Sequence, residues 1–134
     1  MSLPFLDTNV LLYATAQPDP RTETARALLA AGGVVSVQVL NEFTAVARRK
    51  MRRSWPEIEQ ARAAIRTLCP IVRPLTMATH DAARRLAQDT GHTIYDALVL
   101  AAALEAGCDT LLSEDMQHGQ VLDSRLTIRN PFAP

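Results

Sequence analysis

The chain has only two cysteines, Cys69 and Cys108, and neither a CxxC motif nor a cluster of cysteine with histidine. Both lie in apolar surroundings, which is typical of buried, reduced thiols in a cytoplasmic protein. No apolar run approaches the roughly 18 residues that a membrane span needs; the longest candidate, residues 97–104, is far shorter. Pro4 and Asp7 interrupt the apolar start, so no N-terminal signal is expected.

Net charge is absent as well, because 14 basic residues balance 14 acidic ones. The totals therefore point to neither a nucleic-acid nor a membrane partner. Lysine occurs once, at Lys50, and every other basic residue is arginine. Arginine suits bidentate phosphate contacts, so a local cluster is a candidate nucleic-acid site. Its arginines are Arg48, Arg49, Arg52 and Arg53. The alternative is a solvated helix end, where cations are also favoured.

Short apolar runs alternate with helical patterns along the 134 residues, a length that suits one domain spanning 1–134. We predict strands at 3–6, 34–37, 71–75, 110–113 and 126–128, and a turn at 18–20. Helices fill most of the intervals; one runs from His80 to Asp89 with Thr79 as its cap. A nearly all-apolar helix covers 97–106 and is expected to be central. Alternating strands and helices predict an α/β fold with a mainly parallel sheet and right-handed crossovers.

Asp7 stands where the first predicted strand ends and a helix begins. In open α/β sheets, ligands bind at the carboxyl ends of the strands, so this carboxylate is a candidate site residue. Taken alone, it fits the role of a helix N-cap better than that of a site residue, because aspartate caps helices effectively. Whether Asp7 has a chemical role therefore depends on which other acids reach the same edge.

Three further acids are expected near that edge. Asp115 follows the fourth predicted strand, although its neighbour Glu114 competes for the assignment. Glu42 lies about one turn into the helix after the second strand. Asp96 lies in the first turn of the apolar helix, and reaches the edge only if that helix starts there. Topology alone thus places three of the four acids near one edge.

Four converging carboxylates would repel one another and raise their own pKa values unless a cation joined them. Ligands that are all oxygen select hard ions, so Mg²⁺ or Mn²⁺ is expected. Such an ion can activate water and hold a phosphate, which makes phosphodiester hydrolysis the natural chemistry. Thr8, Asn9 and Ser113 adjoin two of the acids and could orient them. Individually, these three residues could equally be ordinary cap or turn residues.

Four ordered motifs resemble the PIN domain family, and in particular the VapC-like toxins of bacterial toxin–antitoxin pairs. They are Asp7-Thr8-Asn9-Val10-Leu11, Leu40-Asn41-Glu42, Tyr95-Asp96-Ala97-Leu98 and Leu112-Ser113-Glu114-Asp115-Met116. Each motif alone is weak, but the ordered set in a chain of this size is specific. The resemblance extends over essentially the whole chain.

The resemblance implies a Mg²⁺- or Mn²⁺-dependent ribonuclease on a three-layer α/β/α sandwich. It implies catalytic and metal-binding roles for the acidic set, with supporting roles for the polar neighbours. The acidic set is Asp7, Glu42, Asp96 and Asp115, and the neighbours are Thr8, Asn9 and Ser113. It further implies an RNA substrate, a cognate antitoxin whose C-terminal segment enters the groove, and a homodimer in the cytoplasm.

Other functions fit the residues less well. A receiver-like phosphoacceptor domain needs a paired acid beside Asp7 and a lysine after a late strand, and neither is present. A haloacid-dehalogenase-type phosphatase needs a second aspartate at the position of Asn9. No glycine-rich phosphate loop occurs. A non-catalytic binding module with the same fold remains the third alternative.

Overall fold

The computed structural model describes residues 2–16 and 19–134, so the predicted turn at Pro18-Asp19-Pro20 lies partly outside the described residues. The strands are β1 (Phe5–Leu6), β2 (Val35–Ser36), β3 (Val72–Arg73), β4 (Thr110–Leu112), β5 (Val121–Leu122) and β6 (Leu126–Arg129). The helices are α1 (Thr8–Thr15), α2 (Thr22–Ala31), α3 (Val37–Arg49), α4 (Trp55–Leu68), α5 (Met77–Thr90) and α6 (Ile94–Glu105). Across these ranges, no helix combines the length and hydropathy that a membrane crossing requires.

The sheet is mainly parallel. β1, β4, β6 and β5 form one ladder in that order, in which only β5 runs antiparallel to its neighbour. β2 and β3 form a second, parallel ladder, and a parallel bridge between Phe5 and Val34 joins the two. Helices pack around these strands: α1 contacts α2 and α3, α3 contacts α4 and α6, and α5 packs on α6. The predicted α/β/α architecture is therefore confirmed.

Gly33 allows the two ladders to meet. A Cβ atom at this position would lie 2.7 Å from the Leu6 side chain and 2.9 Å from the Pro4 carbonyl oxygen. Any other residue would separate the chain entering β2 from β1, where Val34 N donates to Pro4 O at 2.9 Å. The close approach aligns the carboxyl ends of β1 and β2, after which Asp7 and the helix carrying Glu42 begin.

The core consists of strand residues and the inner faces of the helices. Phe5, Leu6 and Leu111 are fully buried, as is most of α6 from Ala97 to Ala103. The prediction that α6 is a buried, central helix is confirmed. Cys69 and Cys108 are both buried and unpaired, as predicted.

Two local predictions were wrong. Helix α5 begins at Met77 rather than His80, and its cap is Thr76 rather than Thr79. The Thr76 hydroxyl accepts a hydrogen bond from Thr79 N at 3.1 Å, which places Thr79 inside the first turn. Strand β5 was not predicted, because only two residues of it pair with β6.

Candidate active site

Asp7 is fixed where β1 ends beside β4. The register pairs Leu6 with Leu112, and Asp7 N donates to Leu112 O at 3.0 Å, which brings Asp7 next to Ser113. Asp7 caps α1, because its Oδ1 accepts from Thr8 N at 2.7 Å. Its Oδ2 accepts from Ser113 Oγ at 2.7 Å. The side chain is only 5% exposed. The carboxylate is therefore a helix cap and a member of the edge cluster at once.

Glu42 reaches the same edge from α3. Thr8 Oγ1 donates to its Oε2 at 3.0 Å, so α1 and α3 are joined through the site. Gln38 Nε2 donates to its Oε1 at 3.0 Å. Gln38 is buried and lies one helical turn before Glu42. Gln38 was not predicted, although its spacing of four residues from Glu42 on one helix face was the signal for it.

The bend at residues 113–115, here called the acidic bend, is held by Asn9. Asn9 Nδ2 donates to Asp115 Oδ2 at 3.1 Å, and Asn9 Oδ1 accepts from Glu114 N at 3.3 Å. Ser113 Oγ also accepts from Met116 N at 3.3 Å. Residues more than 100 positions apart in the sequence are thus brought together by the pairing of β1 with β4.

Two of the acids have perturbed pKa values. Burial raises the pKa of Asp7 from 3.8 to about 6, opposed by the hydrogen bonds from Ser113 and Thr8 and reinforced by the charges of Glu42 and Asp96. Burial is also the main reason that the pKa of Asp96 is raised; His92 opposes this shift and Asp115 adds to it. The protein therefore keeps negative charge at the edge against a real electrostatic cost.

All four predicted acids line one cavity of about 490 Å³. Thr8, Asn9, Tyr13, Lys50 and Glu114 also line it. Asp96 reaches it because α6 begins at the same edge. Within residues 2–16 and 19–134, however, no three Asp, Glu, His or Cys side chains are grouped tightly enough to hold a metal ion as they stand. All four oxygens of Asp7 and Glu42 instead accept hydrogen bonds.

The donor set nevertheless suits a hard divalent cation. The cavity is lined by carboxylates and by neither cysteine nor histidine, and oxygen ligands are what Mg²⁺ and Mn²⁺ select. A cation there would offset the cost of burial, and the smaller repulsion from Glu42 and Asp96, that together raise the pKa of Asp7. Binding would require the carboxylates to converge further than they do in this arrangement.

The basic cluster divides into different environments. Arg53 donates to Thr15 Oγ1 at 2.9 Å and to Leu12 O at 3.3 Å, at the end of α1. Arg48 donates to Arg53 O at 3.1 Å, and its guanidinium lies 5.0 Å from the ring centroid of Trp55. Arg49 and Arg52 are exposed and do not line the acidic cavity, whereas Lys50 does. The cluster is therefore not one uniform phosphate-binding surface.

A family model of the PIN domain matches residues 5–121. The chain belongs to the PIN domain family. The match spans the segments that contribute Asp7, Glu42, Asp96 and Asp115, so the resemblance drawn from the four motifs is confirmed. None of the curated proteins compared with this PIN domain is similar enough to count as a relative.

Two solved structures share the fold. One is VapC20 from Mycobacterium tuberculosis, described as a toxin that cleaves the sarcin–ricin loop. It is 24% identical, with a TM-score of 0.68 over 83% of this chain and 90% of the other. The second is a toxin–antitoxin complex from Klebsiella pneumoniae, 16% identical, with a TM-score of 0.72 over 96% of this chain and 98% of the other. At these identities the likeness establishes the fold alone.

Proposed function

We propose that this PIN domain is a metal-dependent endoribonuclease and the toxin of a type II toxin–antitoxin pair. The observation that carries the proposal is that carboxylates from four separate segments line one cavity. Asp7, the most buried of them, keeps its place despite a pKa raised to about 6. A structural role alone would be filled more stably by an uncharged residue, since an unneutralised buried charge is costly.

The four acids are assigned the metal-binding and catalytic roles. Asp7, Glu42, Asp96 and Asp115 would hold Mg²⁺ or Mn²⁺, and the ion would supply an activated water and stabilise the phosphate and the leaving oxygen. Membership of the PIN domain family argues against the alternative of a receiver-like phosphoacceptor domain, because receiver domains form a different family.

The neighbouring polar side chains orient these acids. Ser113 and the Thr8 amide fix the two oxygens of Asp7. The Thr8 hydroxyl and Gln38 do the same for Glu42, and Asn9 holds Asp115. Such outer hydrogen bonds typically change metal affinity or activity by about 10–100-fold when removed.

The partners follow from the relatives. VapC20 is described as a toxin that cleaves the sarcin–ricin loop, and the Klebsiella structure as a toxin–antitoxin complex. By extension we infer an RNA substrate, a protein antitoxin, a homodimer and a cytoplasmic location for this chain. We also infer that residues 1–134 act as one domain.

The test is cleavage of generic RNA with Mg²⁺ or Mn²⁺ by the wild type and by Asp7→Asn. We expect chelation to abolish cleavage and Asp7→Asn to lower its rate at least about 100-fold, since a direct ligand should matter no less than its outer partners. Asp109→Asn, which removes an exposed carboxylate away from the cavity, is the matched control and should cleave normally. Equal cleavage by wild type and Asp7→Asn would place the centre elsewhere. No cleavage by the wild type with either metal would favour the non-catalytic binding module.

A further inference from the structure

At the wall of the acidic cavity, Tyr13 and Arg21 bind the side chain of Glu114. Tyr13 Oη donates to Glu114 Oε1 at 2.5 Å. Arg21 Nη1 donates to both carboxylate oxygens, at 3.3 and 3.0 Å. The Arg21 guanidinium also lies 4.1 Å from the centroid of the Tyr13 ring. Both oxygens of Glu114 are therefore engaged.

Asp19 in turn orients Arg21. Arg21 Nε and Nη2 donate to the two oxygens of Asp19, at 2.9 and 3.0 Å, which leaves Nη1 directed at Glu114. A bidentate pair of this kind fixes the plane of the guanidinium. The rings of Tyr13 and Phe132 pack in an edge-on arrangement with their centroids 5.2 Å apart. The hydroxyl of Tyr13 is thus fixed in direction as well as in position.

We propose that Tyr13 and Arg21 are positioning residues that act through Glu114 to set the acidic bend and so determine that Asp115, not Glu114, serves the metal centre. The inference rests on the proposed metal-dependent function. It assigns a role to three residues that lie outside the predicted catalytic set. It also favours Asp115 over Glu114 as the ligand, because Arg21 forms an ion pair with Glu114.

Helix α1 holds the acidic bend at two points. Asn9 and Tyr13 are four residues apart, so they lie on one face of the helix about one turn from each other. Asn9 accepts a hydrogen bond from the Glu114 amide and donates one to the Asp115 carboxylate. Tyr13 donates a hydrogen bond to the Glu114 carboxylate. Adjacent acids are thereby drawn to different partners. Rotation of the bend would break contacts at both points.

Arg21 also offsets the negative charge of Glu114 beside the four acids. Glu114 lines the acidic cavity, so an unpaired carboxylate there would be a fifth negative charge beside the four acids. Its ion pair with Arg21, at 3.0 Å, offsets that charge. Burial and the hydrogen bond to Glu114 raise the pKa of Tyr13 to about 12.

The test measures Mn²⁺ affinity of the full chain by calorimetry and by electron paramagnetic resonance of free Mn²⁺. We expect Tyr13→Phe and Arg21→Gln each to lower the affinity about 10-fold, as for other outer partners of a metal site. Glu114→Gln should cost less than Asp115→Asn, which removes a ligand. The double variant Tyr13→Phe/Glu114→Gln should bind Mn²⁺ no more weakly than whichever single variant has the lower affinity, because Tyr13 acts through Glu114.

Matched controls separate positioning from general damage. Tyr95→Phe alters an exposed tyrosine, and Arg62→Gln breaks the surface pair with Glu59; neither should change Mn²⁺ affinity. Tyr13→Phe keeps the packing on Phe132 and leaves Glu114 paired with Arg21, so thermal stability should change little.

Distinct outcomes would overturn the two claims. If Glu114→Gln costs as much as Asp115→Asn, then Glu114 is itself a ligand and the inference is wrong. It is equally wrong if Tyr13→Phe binds Mn²⁺ like the wild type, or if the effects of Tyr13→Phe and Glu114→Gln simply add. If Asp7→Asn and Asp115→Asn both leave Mn²⁺ affinity unchanged, the proposed metal centre fails, and this inference with it.

Discussion

The acidic cavity and the basic segment at residues 48–53 are organised in opposite ways. The acids come from four distant segments that topology gathers, and each of Asp7, Glu42 and Asp115 is held by a side chain from another element. The basic residues come from one stretch of sequence, and the fold separates them. Arg53 turns to the end of α1, Arg48 to Trp55, and Arg49 to solvent.

The contrast indicates that proximity in sequence is a poor guide to a common role. The acids share one cavity although up to 108 positions separate Asp7 from Asp115. The arginines are neighbours, yet Arg53 serves the backbone of another helix. Its guanidinium donates to Leu12 O, one of the carbonyls that the last turn of α1 leaves unpaired. The role of a charged side chain therefore has to be assigned from its contacts and not from its neighbours in the sequence.

The largest expected effect is the pH dependence of the free energy of unfolding that the buried carboxyl group of Asp7 causes. The pKa of this carboxyl is raised from 3.8 to about 6, so the folded chain binds the proton more tightly than the unfolded chain does. The stability that the proton confers is fully present below about pH 3.8 and is lost as the pH rises through about 6. Between pH 4 and 7, in chelator, the wild type should lose roughly 2–3 kcal/mol relative to Asp7→Asn. Urea unfolding at a series of pH values measures this difference.

Asp81→Asn is the matched control for this experiment, because it removes an exposed carboxylate on α5. The difference between Asp81→Asn and wild type should stay nearly flat over the same pH range. A parallel pH dependence of wild type and Asp7→Asn would contradict the raised pKa and would weaken the contrast between the buried acids and the exposed arginines.

The second effect tests the division within the basic segment. Arg53→Ala should lower the free energy of unfolding by about 2 kcal/mol, since it removes two hydrogen bonds from a charged donor that is partly buried. Arg49→Ala removes an exposed side chain and should change stability by less than about 0.5 kcal/mol. Chemical denaturation of both variants at one pH is sufficient. Equal losses would mean that the segment acts as one unit after all.

The sequence was sufficient to place Asp7, Glu42 and Asp115 at one edge, because strand ends and helix starts carry strong local signals. It was insufficient for Tyr13 and Glu114, whose contact spans 101 positions and depends on the β1–β4 register. Strand β5 escaped prediction for a local reason. It joins β6 through Asp123 and Ser124, both with positive φ, but without the glycine that normally marks such a hairpin.

The start of α5 shows how competing local signals mislead. Thr76 and Thr79 could each cap a helix, and the prediction favoured the later one. In the structure Thr79 Oγ1 donates to Glu105 Oε2 at 2.9 Å, so its hydroxyl serves α6 instead. A tertiary partner of this kind leaves no trace in the local pattern, which explains why the boundary was three residues late.

The smallest expected effect concerns RNA binding by the exposed arginines. In an Asp7→Asn background, which prevents cleavage if the proposed centre is correct, Arg49→Ala/Arg52→Ala should reduce the slope of log affinity against log salt by about 1.4, since each contact with single-stranded RNA contributes about 0.7. Arg48 and Arg53 are left intact because their guanidiniums already have protein partners. Filter binding at several salt concentrations measures the slope, and Arg84→Ala/Arg85→Ala on α5 is the matched control. An unchanged slope would assign the exposed arginines to a solvated helix end and leave Lys50, at the wall of the acidic cavity, as the basic residue of this segment best placed to meet phosphate.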